Sequence, residues 1–257
     1  MYYLIQSNIY SDPEHHKVFD VLEELGFAYE AYELLPGTET IIPQTDRKDI
    51  FVYGSVKLAR LAKANTGWYP GSFYGGNHTF EIHAPHYKEY LLNYIKHVFP
   101  FTEKISWLPG ETKFIKPYQD AKVFTGKVFT QTKWNDFVQE SLLNPRTPML
   151  HADTLVQASV PQPITKEARV WIVGGRVIAS TYYRYHGDIP FEQQLPPEAV
   201  EFVQQMISLF NVAAAFVMDI GYTGNEWKII EINCINSAGF YNLNSRSLFR
   251  ALDTFFG

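Results

Sequence analysis

Apolar and polar positions along this chain repeat with two different periods, and the change of period marks the elements. YYLIQ (2–6) is a short apolar run and reads as a strand. In HHKVFDVLEELG (15–26) Val18, Leu22 and Leu25 fall on one stripe, which predicts a helix stopped by Gly26. FAYEAYEL (27–34) reads as a second strand, and LPGTETIIPQTD as a link. FVYGS (51–55) reads as a strand running into a helix over 56–64. This order predicts a small, mostly parallel β/α sheet at the N-terminus. Residues 65–85 are rich in Gly, aromatics and His and show no period. They read as a covering segment or a cleft loop.

YKEYLLNYIKHVF (87–99) predicts a helix, and TKFIKP (112–117) a strand. Residues 118–130 read as a loop between strands, 135–144 as a short helix and 154–160 as a strand. EARVWIVGGRVIASTYYR (167–184) predicts a β-hairpin turning at Gly174-Gly175. PPEAVEFVQQMISLFN (196–211) predicts a helix, with Glu198 in its first turn and Val200, Val203, Ile207 and Phe210 buried. FVMDI (216–220) and WKIIEIN (227–233) form a second hairpin pattern joined through Thr-Gly-Asn, and a last helix covers 247–256.

That second hairpin carries the sharpest chemistry. A strand has period two, so Asp219, Glu231 and Asn233 share one face. Phe216, Met218, Ile230 and Ile232 take the other, apolar face. A hairpin centred near Gly224 sets Asp219 opposite Ile229, with Glu231 as its diagonal neighbour. Two carboxylates and an amide at that spacing suit a hard cation such as Mg²⁺. The plain alternative is a polar face wetted by solvent.

Composition narrows the classes. Aromatic residues make up 16% of the 257 and hydrophobic residues 46%, which argues against disorder. A net charge of -5 argues against general nucleic-acid binding. The lone Cys234 excludes an internal disulfide; its strand parity points it into packing, away from a catalytic role. The eight His show no zinc-ligand spacing. No signal peptide or membrane-length apolar run is visible, so a soluble cytoplasmic protein is expected.

Further residues suit a nucleotide. Lys116 ends a buried strand, where a lysine can meet phosphate, and Lys122 with Phe124-Thr125-Gly126 could cover the same phosphates. The bland reading of Lys116 is a solvated strand end. GxxxxGK[ST] and GxGxxG are both absent. LVQASVP predicts a strand ending in an extended linker able to read an adenine edge with backbone groups. Glu167 and Arg169 share a face, and Arg184 ends the return strand. Each guanidinium suits a phosphate or carboxylate; the alternative is a surface arginine paired with an acid.

FIKP (114–117), LVQASV (155–160), the hairpin 167–184, FVMDI (216–220) and IIEINCINSAGFY (229–241) together resemble the ATP-grasp superfamily. More narrowly, the chain resembles a clade of small ATP-grasp proteins of bacteria and their phages. The resemblance covers about 100–257. It implies an α/β and α+β ATP-grasp fold in two subdomains over 101–257, preceded by a β/α domain over 1–100. It implies ATP and Mg²⁺ as cofactors. Lys116 would meet the α/β-phosphates, and Gln157, Ala158, Ser159 and Val160 would hold adenine. Glu167 and Arg169 would lie near ribose, phosphates or acyl substrate, and Arg184 would stabilise the transferred phosphoryl group. Asp219, Glu231 and Asn233 would ligate Mg²⁺. The loop from Asn236 to Asn244, with Ser237 and Gly239, would touch the acceptor. DAKVFTG departs from the usual Gly/Ser-rich phosphate cover. The implied activity is a carboxylate–amine ligase working through an acyl phosphate and releasing ADP. The acceptor would be a small molecule or a peptide or protein terminus, and 67–80 could shape its pocket. The alternative is an ATP/Mg-binding module without ligase activity.

Overall fold

A computed structural model describes residues 1–9, 12, 14–65, 67–118, 123–143, 150–185, 194–241 and 243–257. The chain divides into two compact units, one of residues 1–92 with 164–257 and one of residues 93–163. Each is described by itself.

The first unit opens with β1 (Tyr2–Gln6), α1 (Lys17–Leu25), β2 (Tyr29–Tyr32), β3 (Ile50–Tyr53) and α2 (Val56–Ala64). The strands form a parallel sheet in the order β2-β1-β3. β1 is apolar on both faces because both are covered. Tyr3 and Ile5 pack with Val18 and Leu22 of α1, whereas Leu4 packs with Leu58 and Ala62 of α2. Gly26 ends α1 at φ +69° and donates its N–H to Glu23. Ser55 caps α2 by accepting the Leu58 N–H, 3.3 Å.

The second sheet of this unit is antiparallel. It joins β8 (Lys166–Val173), β9 (Arg176–Tyr185), β10 (Ala215–Tyr222) and β11 (Trp227–Asn233) in the order β11-β10-β8-β9. Phe216, Met218, Val170 and Ile172 pack against Ala199, Val203 and Met206 of the helix Pro197–Leu209. Val217, Ala215, Trp171 and Val173 pack on the opposite side, with β1, β3 and the last helix, Arg246–Phe256. Asp219 lies on this second face.

Two β-bulges bring the polar residues together. Asp219 pairs with Glu231 and Ile220 with Ile229, so Ile230 is an extra residue in β11. This corrects the expected register, in which Asp219 faces Ile229. It also moves the apolar role of Ile230 to Ile229, which is fully buried. In β9, Glu167 pairs with Arg184 and Ala168 with Tyr182, leaving Tyr183 as the extra residue. Such bulges re-aim side chains. Without this one, Arg184 and Thr181 would point to opposite faces.

Between the two sheets, the helix expected over 87–99 is a correction. A helix spans Phe80–Tyr87 instead, and Lys88 at φ +46° ends its path. The following apolar residues cover an edge: Leu91 bridges Ile229, and the Leu92 N–H donates to the Ile229 carbonyl at 2.8 Å. Covering an exposed strand edge took precedence over local periodicity.

The second unit is an antiparallel sheet with its own core. β4 (His97–Pro100), β5 (Thr112–Pro117), β6 (Lys127–Thr130) and β7 (Leu155–Ser159) take the order β4-β7-β5-β6. Residues 127–130, which the sequence pattern sets within a loop, pair with β5 and are strand. The helix Gln131–Leu143 packs Trp134 against Phe101 and Phe129, ring centroids 5.4 and 5.1 Å away. Trp134 is only 2% exposed. Trp134→Ala should therefore cost about 3–5 kcal/mol in chemical denaturation. A loss under about 1 kcal/mol would show that this helix is not fixed through its tryptophan.

Candidate functional site

The β10–β8 register sets Asp219 directly across from Arg169. Arg169 Nε and Nη2 donate to the two Asp219 oxygens at 2.8 and 2.7 Å. Its Nη1 donates to the Gly239 carbonyl at 3.0 Å. Both side chains are almost fully buried, 8% and 2% exposed. Burial works against the Arg169 charge, but the Asp219 hydrogen bonds outweigh it and hold the guanidinium firmly protonated. Burial pushes the Asp219 carboxyl up to about 7; Arg169 pulls it down and Glu231 adds to the push.

Asn233 closes the group. Its Nδ2 donates to Asp219 Oδ2 at 3.1 Å and to Glu231 Oε1 at 2.9 Å. The three expected metal ligands thus lie within one hydrogen bond of each other. Glu231 faces solvent, with its side chain 45% exposed. Rotating the Asn233 amide by half a turn would present its oxygen where its NH₂ now stands. The donor set therefore fits a hard divalent cation that replaces the amide protons between two carboxylates. Among the described residues, no three or more His, Cys, Asp or Glu gather in a way that could hold a metal. The trio depends on its amide.

Beside it, Arg184 Nη1 donates to Glu167 Oε1 at 2.9 Å, with the arginine side chain 59% exposed. Two residues that sequence reasoning missed complete this face. Tyr241 lies under the Arg169 guanidinium, 4.8 Å from Cζ to ring centroid. Tyr183, the bulged residue of β9, stacks on Tyr241 at 4.8 Å and 19°. Tyr241 is left-handed, at φ +51°. That conformation costs a bulky residue about 1–3 kcal/mol. The stack contributes about 0.5–1.5 kcal/mol and the cation–π contact about 0.5–2 kcal/mol, enough to offset the strain. Neither tyrosine had a legible signal, since one depends on a bulge and the other on a turn.

The loop after β11 is held from beneath. Asn236 is fully buried. It donates to the carbonyls of Val52 (2.6 Å) and Gly71 (3.2 Å) and accepts the Phe73 N–H (2.8 Å). This corrects the expected acceptor contact: the Asn236 side chain is spent on backbone. Ser237 and Gly239 remain partly exposed. Tyr53 Oη donates to the Ala238 carbonyl at 2.8 Å. Burial pushes the Cys234 thiol up to about 11, which keeps it unreactive.

The second unit carries the expected nucleotide residues. Lys116 pairs in register with Gln157. It is half-buried, yet takes no hydrogen bond or ion pair among the described residues. A Cβ at Gly126 would lie 2.7 Å from the Lys116 Cβ and 2.9 Å from the Phe114 ring, so glycine leaves the lysine its space. Gln157 and Ala158 belong to the ladders on both sides of β7. Only Ser159 and the 73% exposed Val160 approach its free end. Lys122 lies outside the described residues.

Arg169→Met should cost about 3–5 kcal/mol, because it strands a buried carboxylate. Adding Asp219→Leu should restore most of that loss. Equal destabilisation by the single and double variants in urea melts would show that the pair is not coupled.

A family model described as an ATP-grasp domain, family 3 of its clade, matches residues 63–252. No curated protein matches the chain. The fold is similar to a RimK domain ATP-grasp protein from Sphaerobacter thermophilus DSM 20745, at 12% identity and TM-score 0.64, covering 100% of both chains. It is similar to D-alanine–D-alanine ligase from Bacillus anthracis complexed with ATP, at 12% identity and TM-score 0.62, covering 98% of this chain and 91% of that one. It is also similar to the ATP-grasp ligase PsnB complexed with precursor peptide PsnA2 and AMPPNP. There the identity is 13% and the TM-score 0.58, covering 99% of this chain and 98% of that one. At these identities the likeness carries the fold. With the family model spanning well over half of its length, the chain belongs to the ATP-grasp superfamily.

Proposed function

We propose that this protein is an ATP-dependent ligase that activates a carboxylate as an acyl phosphate and joins it to an amine. The observation that carries the reading is the cluster of Asp219, Glu231 and Asn233, with Arg169 and Arg184 on the same face. The unpartnered Lys116 supports it, since a half-buried ammonium needs an anion that the described fold does not provide. The ligase names of structural neighbours agree with the reading.

Asp219, Glu231 and Asn233 would hold Mg²⁺, which neutralises phosphate oxygen charge when bound. Lys116 would bind the α/β-phosphates as a point charge. Ser159 and Val160 would border adenine, with Gln157 and Ala158 fixing the strand beneath. Arg184 is exposed enough to leave Glu167 and meet the γ-phosphoryl group. A substrate carboxylate oxygen attacks the γ-phosphorus, and the bond to the β,γ-bridging oxygen breaks, so ADP leaves with that electron pair. The amine then attacks the acyl carbon, phosphate leaves with the C–O electrons, and the amine nitrogen loses a proton. The protein supplies placement and charge and needs no nucleophile of its own. Ser237 and Gly239 would border the acceptor, which is a small amine or a peptide or protein terminus.

Calorimetric titration with Mg·ATP should give binding that Lys116→Ala weakens by about tenfold or more, as loss of a charge-assisted contact requires. Unchanged affinity would remove Lys116 from the site. Incubation with ATP, Mg²⁺ and pooled amino acids, peptides and cell extract should give ADP, phosphate and condensed products by mass spectrometry. Glu231→Gln should abolish that turnover while the melting temperature stays near native. AMP with pyrophosphate would contradict the acyl-phosphate route. Tight binding without turnover in any pool would favour a nucleotide-binding module.

A further inference from the structure

We propose that Tyr241 is a positioning residue, whose ring fixes the Arg169 guanidinium in the orientation that grips Asp219 and the Gly239 carbonyl. The inference rests on the ligase reading for its catalytic meaning, but its geometry stands alone. The Leu243 N–H donates to the Phe240 carbonyl at 3.0 Å, closing a tight turn with Tyr241 in second position. A positive φ there favours Gly, Asn or Asp. Tyr241 occupies it at φ +51° and is still 41% exposed. Burial of a large side chain therefore does not explain the choice. What the ring gains is contact with one cation. Arg169 Cζ lies over it at 4.8 Å, and Tyr183 backs it at 4.8 Å.

The second observation is independent of the turn. Tyr183 reaches Tyr241 from a β-bulge, since Arg184 pairs with Glu167 and Tyr182 with Ala168. Two departures from regular backbone, in separate elements, aim two rings at the same guanidinium. A bulge and a left-handed residue at one point mark a constrained site rather than ordinary packing. Asp219 alone could rotate about its side-chain bonds with Arg169 attached. The ring removes that freedom, so Asp219 keeps its second oxygen toward Asn233, 3.1 Å away. Tyr241 thereby shapes the carboxylate cluster without belonging to it.

The test follows the Arg169 Nε–H proton by ¹⁵N NMR, assigned through its absence in Arg169→Lys. Native protein and Tyr241→Phe should show slow exchange, because both keep the ring. Tyr241→Gly should exchange about tenfold faster or more, with a melting temperature that does not fall, since glycine relieves the backbone. Tyr241→Asn, which also tolerates a positive φ, should behave as the glycine variant does. Unchanged protection in the glycine and asparagine variants overturns the proposal, as does a phenylalanine variant as fast as glycine. Failure of both the glycine and asparagine variants to fold would make the ring a fold element and also overturns it. Mg·ATP titration of the same proteins should show about fivefold weaker binding for glycine and native binding for phenylalanine. If the native protein binds no Mg·ATP, the ligase reading fails, and the exchange rates alone decide the positioning.

Discussion

The ion pair between Arg169 and Asp219 is the interaction on which the site depends. An almost fully buried carboxylate is not tolerated alone, and here a bidentate guanidinium meets it. The pair also ties together three parts of the first unit. Arg169 comes from β8, Asp219 from β10, and the Gly239 carbonyl from the loop after β11. Asn233 then transmits the position of Asp219 to Glu231, the exposed member. Solvation falls from Glu231 inward, and the buried end is fixed by charge rather than by packing.

The β/α part of the first unit makes this arrangement rigid from below. Tyr53 and Val52 of β3 contact the loop through the Ala238 carbonyl and the Asn236 amide. A buried asparagine with three backbone partners replaces a strand pairing that the loop cannot make. The second unit has a different solution. Among the described residues its Lys116 is left without a partner, and Gly126 leaves open space beside it. One unit neutralises its own charges, and the other presents one.

Much of this was legible in the sequence, because period-two strands place residues on faces by parity alone. The sharing of a face by Asp219, Glu231 and Asn233 followed from FVMDI and WKIIEIN. Their register did not, because the bulge at Ile230 is set by contacts on both sides of β11 and leaves no local mark. The bulge at Tyr183 hid the pairing of Arg184 with Glu167 in the same way. The apolar run 87–99 misled for another reason: its residues cover the edge of β11 and add strand β4, both tertiary demands. The role of Asn236 was invisible because its partners lie 165 and 184 residues away in sequence.

The central claim is that Asp219, Glu231 and Asn233 take a divalent cation together with nucleotide. Mn²⁺ can stand for Mg²⁺ and reports distance through paramagnetic broadening. In protein labelled with ¹⁵N-asparagine, the Asn233 side-chain amide should vanish from the spectrum when Mn²⁺ and ATP are added together. The amide of Asn8, held by the Leu34 carbonyl far from this cluster in the fold, should persist. An Asn233 signal as sharp with Mn²⁺·ATP as with Mg²⁺·ATP would contradict the account.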